Sequence, residues 1–339
     1  MTDALAVVAD RFGLGGVLHG HPIAEGLSNP NWKLTTTTGA YAVKQLRDAT
    51  AEAVRHQHRV LPRLAGLGLP VPLPCATPAG GRTVVPVGDH WYAASPWLPG
   101  THRTGCELDL DACADLGDLL ARVHEGLVEV LPPAPPPARD PAPTVAGAAA
   151  SLARYAGLAA APTTPGPFDD FAVAEIAWRA ALLDQVADRR PGDDPVARTG
   201  WTHGDVQHLN LLFTGDTVTA VLDWDRLGVR ALGLEVVRTG TIMFATGDER
   251  GIDLDRIAAF VRAYRRRIPL DDADLADAAH RRWWRLVCAT WPLRLHYDEG
   301  DWGCDHLYVS IGQVLRWWTG HFADLTAALT VGSRPARRR

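Results

Sequence analysis

His203, Asp205 and Asn210 fall within one short stretch, Trp201 to Asn210, and the triplet Asp223-Trp224-Asp225 follows soon after. A carboxylate, an amide a few residues later and a second carboxylate on the next turn are what phosphoryl transfer asks of a protein. The first orients an acceptor hydroxyl and takes up its proton; the other two hold a divalent cation against phosphate oxygens. On this reading Asp205 is the acceptor-orienting base and Asn210 and Asp223 are the Mg²⁺ ligands. His203 orients the loop through its ring nitrogens. Asp225 either supports the metal site or caps the turn at Arg226-Leu227-Gly228. The competing chemistry is a metal-dependent hydrolase, in which His203, Asp205, His208, Asp223 and Asp225 ligate a transition metal. No further His lies close downstream, and that alternative leaves Lys44 without a role.

For Asp223 to return beside Asn210 the chain between them must double back. Leu211-Leu212-Phe213, a turn at Thr214-Gly215-Asp216 and the run Val218 to Leu222 read as a hairpin that does so. Upstream, residues 4–12 read as a short amphipathic helix ending at Gly13. The loop Gly26-Leu27-Ser28-Asn29-Pro30-Asn31 follows, then strands from Trp32 to Thr37 and Tyr41 to Leu46. Small polar residues, Ser28 and Asn29 among them, let backbone N–H groups lie over phosphate oxygens; the plain alternative is a hairpin with a Ser/Asn turn. In Tyr41-Ala42-Val43-Lys44 the lysine parallels the V-A-I-K strand, whose Lys holds the α/β-phosphates of ATP.

The partner expected for Lys44 is a Glu on the following helix. Glu52 is the one carboxylate between Asp48 and Asp89 and takes that role by elimination; alternatively it only favours the helix dipole. Pro62 is expected to bend or end this helix near Leu61. Residues 82–87 and 90–94 read as an antiparallel pair. Helices are expected over 108–130, around 145–158, over 168–189, 252–266, 271–296 and 303–330. A Pro- and Ala-rich surface connection occupies 131–150.

The ordered set His203-Gly204-Asp205, Asn210 and Asp223-Trp224-Asp225 resembles the aminoglycoside phosphotransferase and choline kinase family, in which Gly stands where protein kinases have Arg. Gly26-Leu27-Ser28-Asn29-Pro30-Asn31 and Trp97-Leu98-Pro99-Gly100 also resemble the type II homoserine kinase branch. The resemblance implies an α+β, bilobal, protein-kinase-like fold: a small antiparallel-sheet N-lobe over residues 1–95, a large mainly helical C-lobe over 96–332, and a basic tail, 333–339. It places the hinge at Ser95 to Trp97, with their backbone groups on the nucleotide base. It implies ATP and Mg²⁺ as cofactors and a small-molecule hydroxyl as acceptor, of the aminoglycoside, amino sugar, choline or homoserine kind. A pseudokinase or ligand-binding module on the same fold is the alternative. The stretch Leu232-Gly233-Leu234-Glu235-Val236 departs from the family's usual Asp-containing sequence there.

Composition agrees with a globular enzyme. Of 339 residues, 47% are hydrophobic and 22% charged, which supplies ample core. A net charge of −5 offers no electrostatic case for nucleic acid as partner. The five cysteines are scattered without a C-x-x-C pair, which fits a reducing cytoplasm, and no signal-like or membrane-spanning run is apparent. Tryptophans and acids over 283–318 either line a pocket for a cationic or sugar-like acceptor or are helix-packing core beside a solvated loop.

Overall fold

The computed structural model describes residues 2–23, 29–47, 49–136, 140–162, 166–193 and 198–330. Ser28 and residues 333–339, for which roles were expected, lie outside them. The chain packs as two compact units: residues 1–108, 119–135 and 200–229 form one, and 109–118, 136–199 and 230–339 the other.

The first unit opens with helix α1 (Thr2–Phe12) and strands β1 (Val17–Ile23), β2 (Asn31–Thr36) and β3 (Ala40–Leu46). Helix α2 (Ala51–Gly66) follows, then β4 (Val85–Val87) and β5 (His90–Pro96). The strands form one antiparallel sheet in the order β1-β2-β3-β5-β4. Alternation along the strands gives the sheet two apolar faces. Trp32, Leu34, Val43, Tyr92 and Ala94 pack with Leu5, Val8 and Phe12 of α1. Leu46 and Ala93, on the opposite face, pack with Val54 of α2 and with Val84. Lys44 is paired with Ala93 in the β3–β5 register, so it too faces α2.

Helix α2 is capped by Thr50, whose hydroxyl accepts from Ala53 N. It does not end at Leu61: it continues to Gly66 with Pro62 inside. Buried Val60, Leu61 and Leu64 hold that last turn against the unit, which outweighs the backbone bond that Pro62 cannot make.

Helix α3 (Leu110–Val130) and, in the second unit, α4 (Val145–Ala160) and α5 (Pro167–Gln185) lead to β6 (Thr199–Thr202). The hairpin of β7 (Leu211–Thr214) and β8 (Thr217–Val221) turns at Gly215-Asp216, with Gly215 at φ 60°. After β9 (Gly228–Ala231) the chain is helical: α6 (Leu232–Met243), α7 (Leu254–Arg267), α8 (Asp272–Val287), α9 (Trp291–Glu299), α10 (Asp305–Gly320) and α11 (Phe322–Thr330). The two long C-terminal helices of the sequence reading are thus each divided. Pro292 at the start of α9 cannot continue α8, and α10 stops at His321. Strand β1 and helix α6 were not foreseen. Among the described residues no helix is long and apolar enough to cross a membrane.

Candidate active site

The residues singled out by spacing meet inside the first unit. Asn210, buried at the end of a short 3₁₀ turn, donates from Nδ2 to the Asp205 carbonyl at 2.8 Å and to Asp205 Oδ2 at 3.2 Å. Those bonds orient the amide so that Oδ1 faces elsewhere as an acceptor. The hairpin then brings the chain back, and Leu222 N donates to Asn210 O at 2.8 Å, setting Asp223 beside Asn210. His203, fully buried, ties the two segments together. Its Nε2–H donates to Leu222 O at 2.9 Å, while Nδ1 accepts from Asp205 N at 3.2 Å. That pattern defines a neutral ring protonated on Nε2. Trp224 stands edge-on to it, centroids 4.6 Å apart, and donates from Nε1 to Val221 O.

The hairpin is held in turn. Thr101 and Phe213 exchange backbone hydrogen bonds of 3.0 and 2.9 Å. His102 Nδ1 lies 2.9 Å from Leu211 O, and Val221 N donates to Pro70 O at 2.7 Å. Gly100 allows this approach: it sits at φ 134°, and a Cβ there would lie 3.0 Å from Phe213 O.

Lys44 reaches both acids of the triplet, Asp223 Oδ1 at 2.8 Å and Asp225 Oδ2 at 2.6 Å. Burial works against its ammonium, but Asp223 and Asp225 more than offset this and hold its pKa above the usual lysine value. The two carboxyls diverge. Burial raises both, yet Lys44, by its charge and its hydrogen bond, pulls Asp223 below the ordinary range. Asp225 stays raised, by burial and by the charge of Asp223, despite Lys44 and Asn29. Such a contrast between neighbouring acids is common at functional sites.

Glu52 is not the partner of Lys44. It lies exposed in the first turn of α2, where a carboxylate suits the helix N-terminus, and the ion pairs go to Asp223 and Asp225 instead. Asn29 is buried, with its side chain committed to structure: Oδ1 accepts from Arg47 N at 2.8 Å and Nδ2 donates to Asp225 Oδ2 at 3.1 Å. Asp225 therefore links the segment around Asn29 to Lys44. Strand β5 runs through Ser95 and Pro96, and Trp97 N donates to Ala40 O at 2.9 Å, so that donor is already used. Lys33 lies over the Trp97 ring at 4.6 Å.

In the second unit Trp283, Trp284 and Trp318 are fully buried core. The charges nearby pair among themselves: Asp298 with Arg154, Asp305 with His296, and Arg281 with Asp277. Trp302 is exposed. The core reading holds for Trp283, Trp284 and Trp318, whereas Trp291 is exposed like Trp302 and Trp317 is half-buried.

Among the described residues no three His, Cys, Asp or Glu side chains gather as a metal-binding cluster. The Asn210 amide and the Asp223 carboxylate, on segments joined by the Leu222 N to Asn210 O bond, offer hard oxygens. They fit a cation such as Mg²⁺, which takes few protein ligands and keeps its waters. Helix α2 packs against the Trp224–Arg226 turn, and the charge of Lys44 reaches its His58, where with burial it disfavours the imidazolium. The sequence reading passed over His58, although its position four residues after Val54 marks the same helix face.

A homoserine kinase from Gluconobacter oxydans (strain 621H) is 28% identical over 278 residues, 81% of each chain. A spectinomycin phosphotransferase solved with ADP and spectinomycin superposes with TM-score 0.63 at 12% identity, over 97% of both chains. A choline kinase from Cryptosporidium parvum Iowa II does so with TM-score 0.58 at 10% identity, over 97% of this chain and 99% of that one. At such identities the two structures share the fold of kinase-like phosphotransferases. Residues 19–270 match the APH phosphotransferase enzyme family, and with the match spanning most of the chain, this protein is a phosphotransferase belonging to that family.

Proposed function

We propose that this phosphotransferase moves the γ-phosphoryl group of ATP, with Mg²⁺, onto a hydroxyl of a small molecule in the cytoplasm. The observation behind this is that one unit holds Asp205 bonded to Asn210 at 3.2 Å, Lys44 bonded to Asp223 at 2.8 Å, and the Leu222 N to Asn210 O bond that joins the two segments. Asp205 accepts a hydrogen bond from the acceptor hydroxyl. As that oxygen bonds to the γ-phosphorus and the bond to the β–γ bridging oxygen breaks, the proton passes to Asp205 and ADP leaves. Asn210 Nδ2 holds the Asp205 carboxylate in place, and His203 keeps that loop in register with Asp223. Bound Mg²⁺ would neutralise charge on the phosphate oxygens, with Asn210 Oδ1 and Asp223 as its protein ligands. Lys44 exchanges its aspartates for the α/β-phosphate oxygens.

The homoserine kinase relative and the spectinomycin and choline enzymes of the same fold point to an acceptor that carries both a hydroxyl and a cationic nitrogen. We place it among amino alcohols, hydroxy amino acids, amino sugars and aminoglycoside-like antibiotics. The test is ADP formation by the purified chain with Mg²⁺-ATP across homoserine, choline, amino sugars and aminoglycosides, with Asp205→Ala as the blank. One acceptor is expected to raise ADP formation, and Asp205→Ala to lower it by about 100-fold or more. ATP binding without turnover on any acceptor would favour the pseudokinase alternative. Absence of ATP binding would sink the assignment altogether.

A further inference from the structure

Helix α2 presents to Lys44 a side chain that the scheme above does not use. Lys44 shares its sheet face with Leu46 and Ala93, which pack against Val54 of α2. At about 100° per residue, His58 lies one turn beyond Val54 on the same face, whereas Glu52 is about 120° from His58 and about 160° from Val54 around the helix. His58 is half-buried and feels the charge of Lys44, whereas Glu52 is exposed. Pro62 adds to this, since it lacks the N–H that would bond the His58 carbonyl one turn back.

The His58 ring has one nitrogen toward the Thr83 carbonyl, which it meets as a donor. The other, Nδ1, is buried with no hydrogen-bond partner. Burial and then the charge of Lys44 disfavour the imidazolium form. A neutral imidazole that donates from Nε2 carries its lone pair on Nδ1, and a buried acceptor is costly to leave unpaired. Lys44 has the complementary surplus. An ammonium offers three donors, and the two aspartates accept two bonds.

We infer that His58 is the positioning residue of α2 for Lys44: its Nδ1 accepts an ammonium N–H when phosphate oxygens draw Lys44 away from Asp223 and Asp225. This rests on Lys44 being the phosphate lysine. A neutral acceptor suits that task, because it fixes the ammonium without cancelling the charge the phosphates require, as a carboxylate would in part.

Binding of the non-hydrolysable nucleotide AMP-PNP with Mg²⁺, measured by calorimetry on the full chain, tests the inference. His58→Asn places an amide oxygen near the Nδ1 position; His58→Gln reaches the Thr83 side and leaves Nδ1 unreplaced. Both are polar substitutions, and thermal melting of each accompanies the titration. His58→Gln is expected to weaken binding about tenfold, the scale of a hydrogen bond to a charged group, and His58→Asn by less than threefold. In a Lys44→Ala background, His58→Gln should add no further loss. Unchanged binding in His58→Gln, equal losses in the two variants, or the same loss without Lys44 would each reduce His58 to packing. Failure of the unmutated chain to bind the nucleotide would instead overturn the phosphotransferase site itself.

Discussion

Asp223 carries a left-handed backbone, φ 56° and ψ 74°, and is alone among the described non-glycine residues in doing so. That conformation costs an ordinary residue about 1–2 kcal/mol, less for Asp and Asn, whose short side chains tolerate it. Here it turns the carboxylate out of the hairpin end and toward Lys44, so the strain accompanies the role proposed for it at the metal site. Asp223→Asn separates the two requirements, because Asn accepts the backbone but not the charge. The variant should fold with a melting midpoint within a few degrees of the parent, while turnover falls by about 100-fold or more. A folded variant with full activity would remove Asp223 from the metal site. Asp225 works differently: its bonds to Lys44 and Asn29 make it a tether between segments.

At the scale of elements, the Asp205–Asn210 loop and its hairpin depend on the extended segment after β5. Gly100 brings Thr101 onto Phe213, and the pairing continues through His102. Gly100→Ala would set a Cβ 3.0 Å from Phe213 O and 3.1 Å from Leu212 Cβ, at a φ of 134° that L residues rarely adopt. A loss of about 1–3 kcal/mol in stability is expected from urea unfolding. Turnover should fall as well if the hairpin shifts; an unchanged midpoint would show that the segment gives way freely. The hairpin, α1, α2 and the β3 lysine strand were all legible as local patterns, since each is set by alternation, periodicity or a turn residue close in sequence. The ends of elements were less so. Pro62 lies within α2 because tertiary burial of Val60, Leu61 and Leu64 outweighs a local preference.

Across the whole molecule, the site is a long-range construction: Lys44 and Asp225 lie 181 positions apart. The second unit has a buried pair of its own, Arg179 and Glu175 at 2.9 Å, with Arg179 also donating to Leu286 O at 2.6 Å. Stability should carry the mark of His58. Burial and Lys44 push its pKa down to about 4 from 6.5. Between those values the unfolded chain binds a proton that the native chain does not, so this group makes stability fall as pH drops from about 6.5 toward 4. Above that window it contributes nothing. The full effect is about 3 kcal/mol. Urea unfolding at pH 7.5 and pH 4.5 should therefore show the unmutated chain losing roughly 2 kcal/mol more than His58→Asn. Parallel losses would mean that His58 titrates alike in both states.

The sequence alone sufficed for the reaction class. Asp205, Asn210 and Asp223 are spaced along one loop and one hairpin, so their meeting follows from local geometry and could be read without tertiary information. It also sufficed to mark Lys44 on its strand. What it left open was everything decided by faces that meet from far apart. Choosing Glu52 by elimination followed charge type, whereas the structure follows helix phase and puts His58 on the side that α2 turns to Lys44. Asn29 and Asp225 likewise acquired their roles only where distant segments bury each other's polar groups. A side chain's partner is set by which surface its element buries, and that surface is a property of the fold.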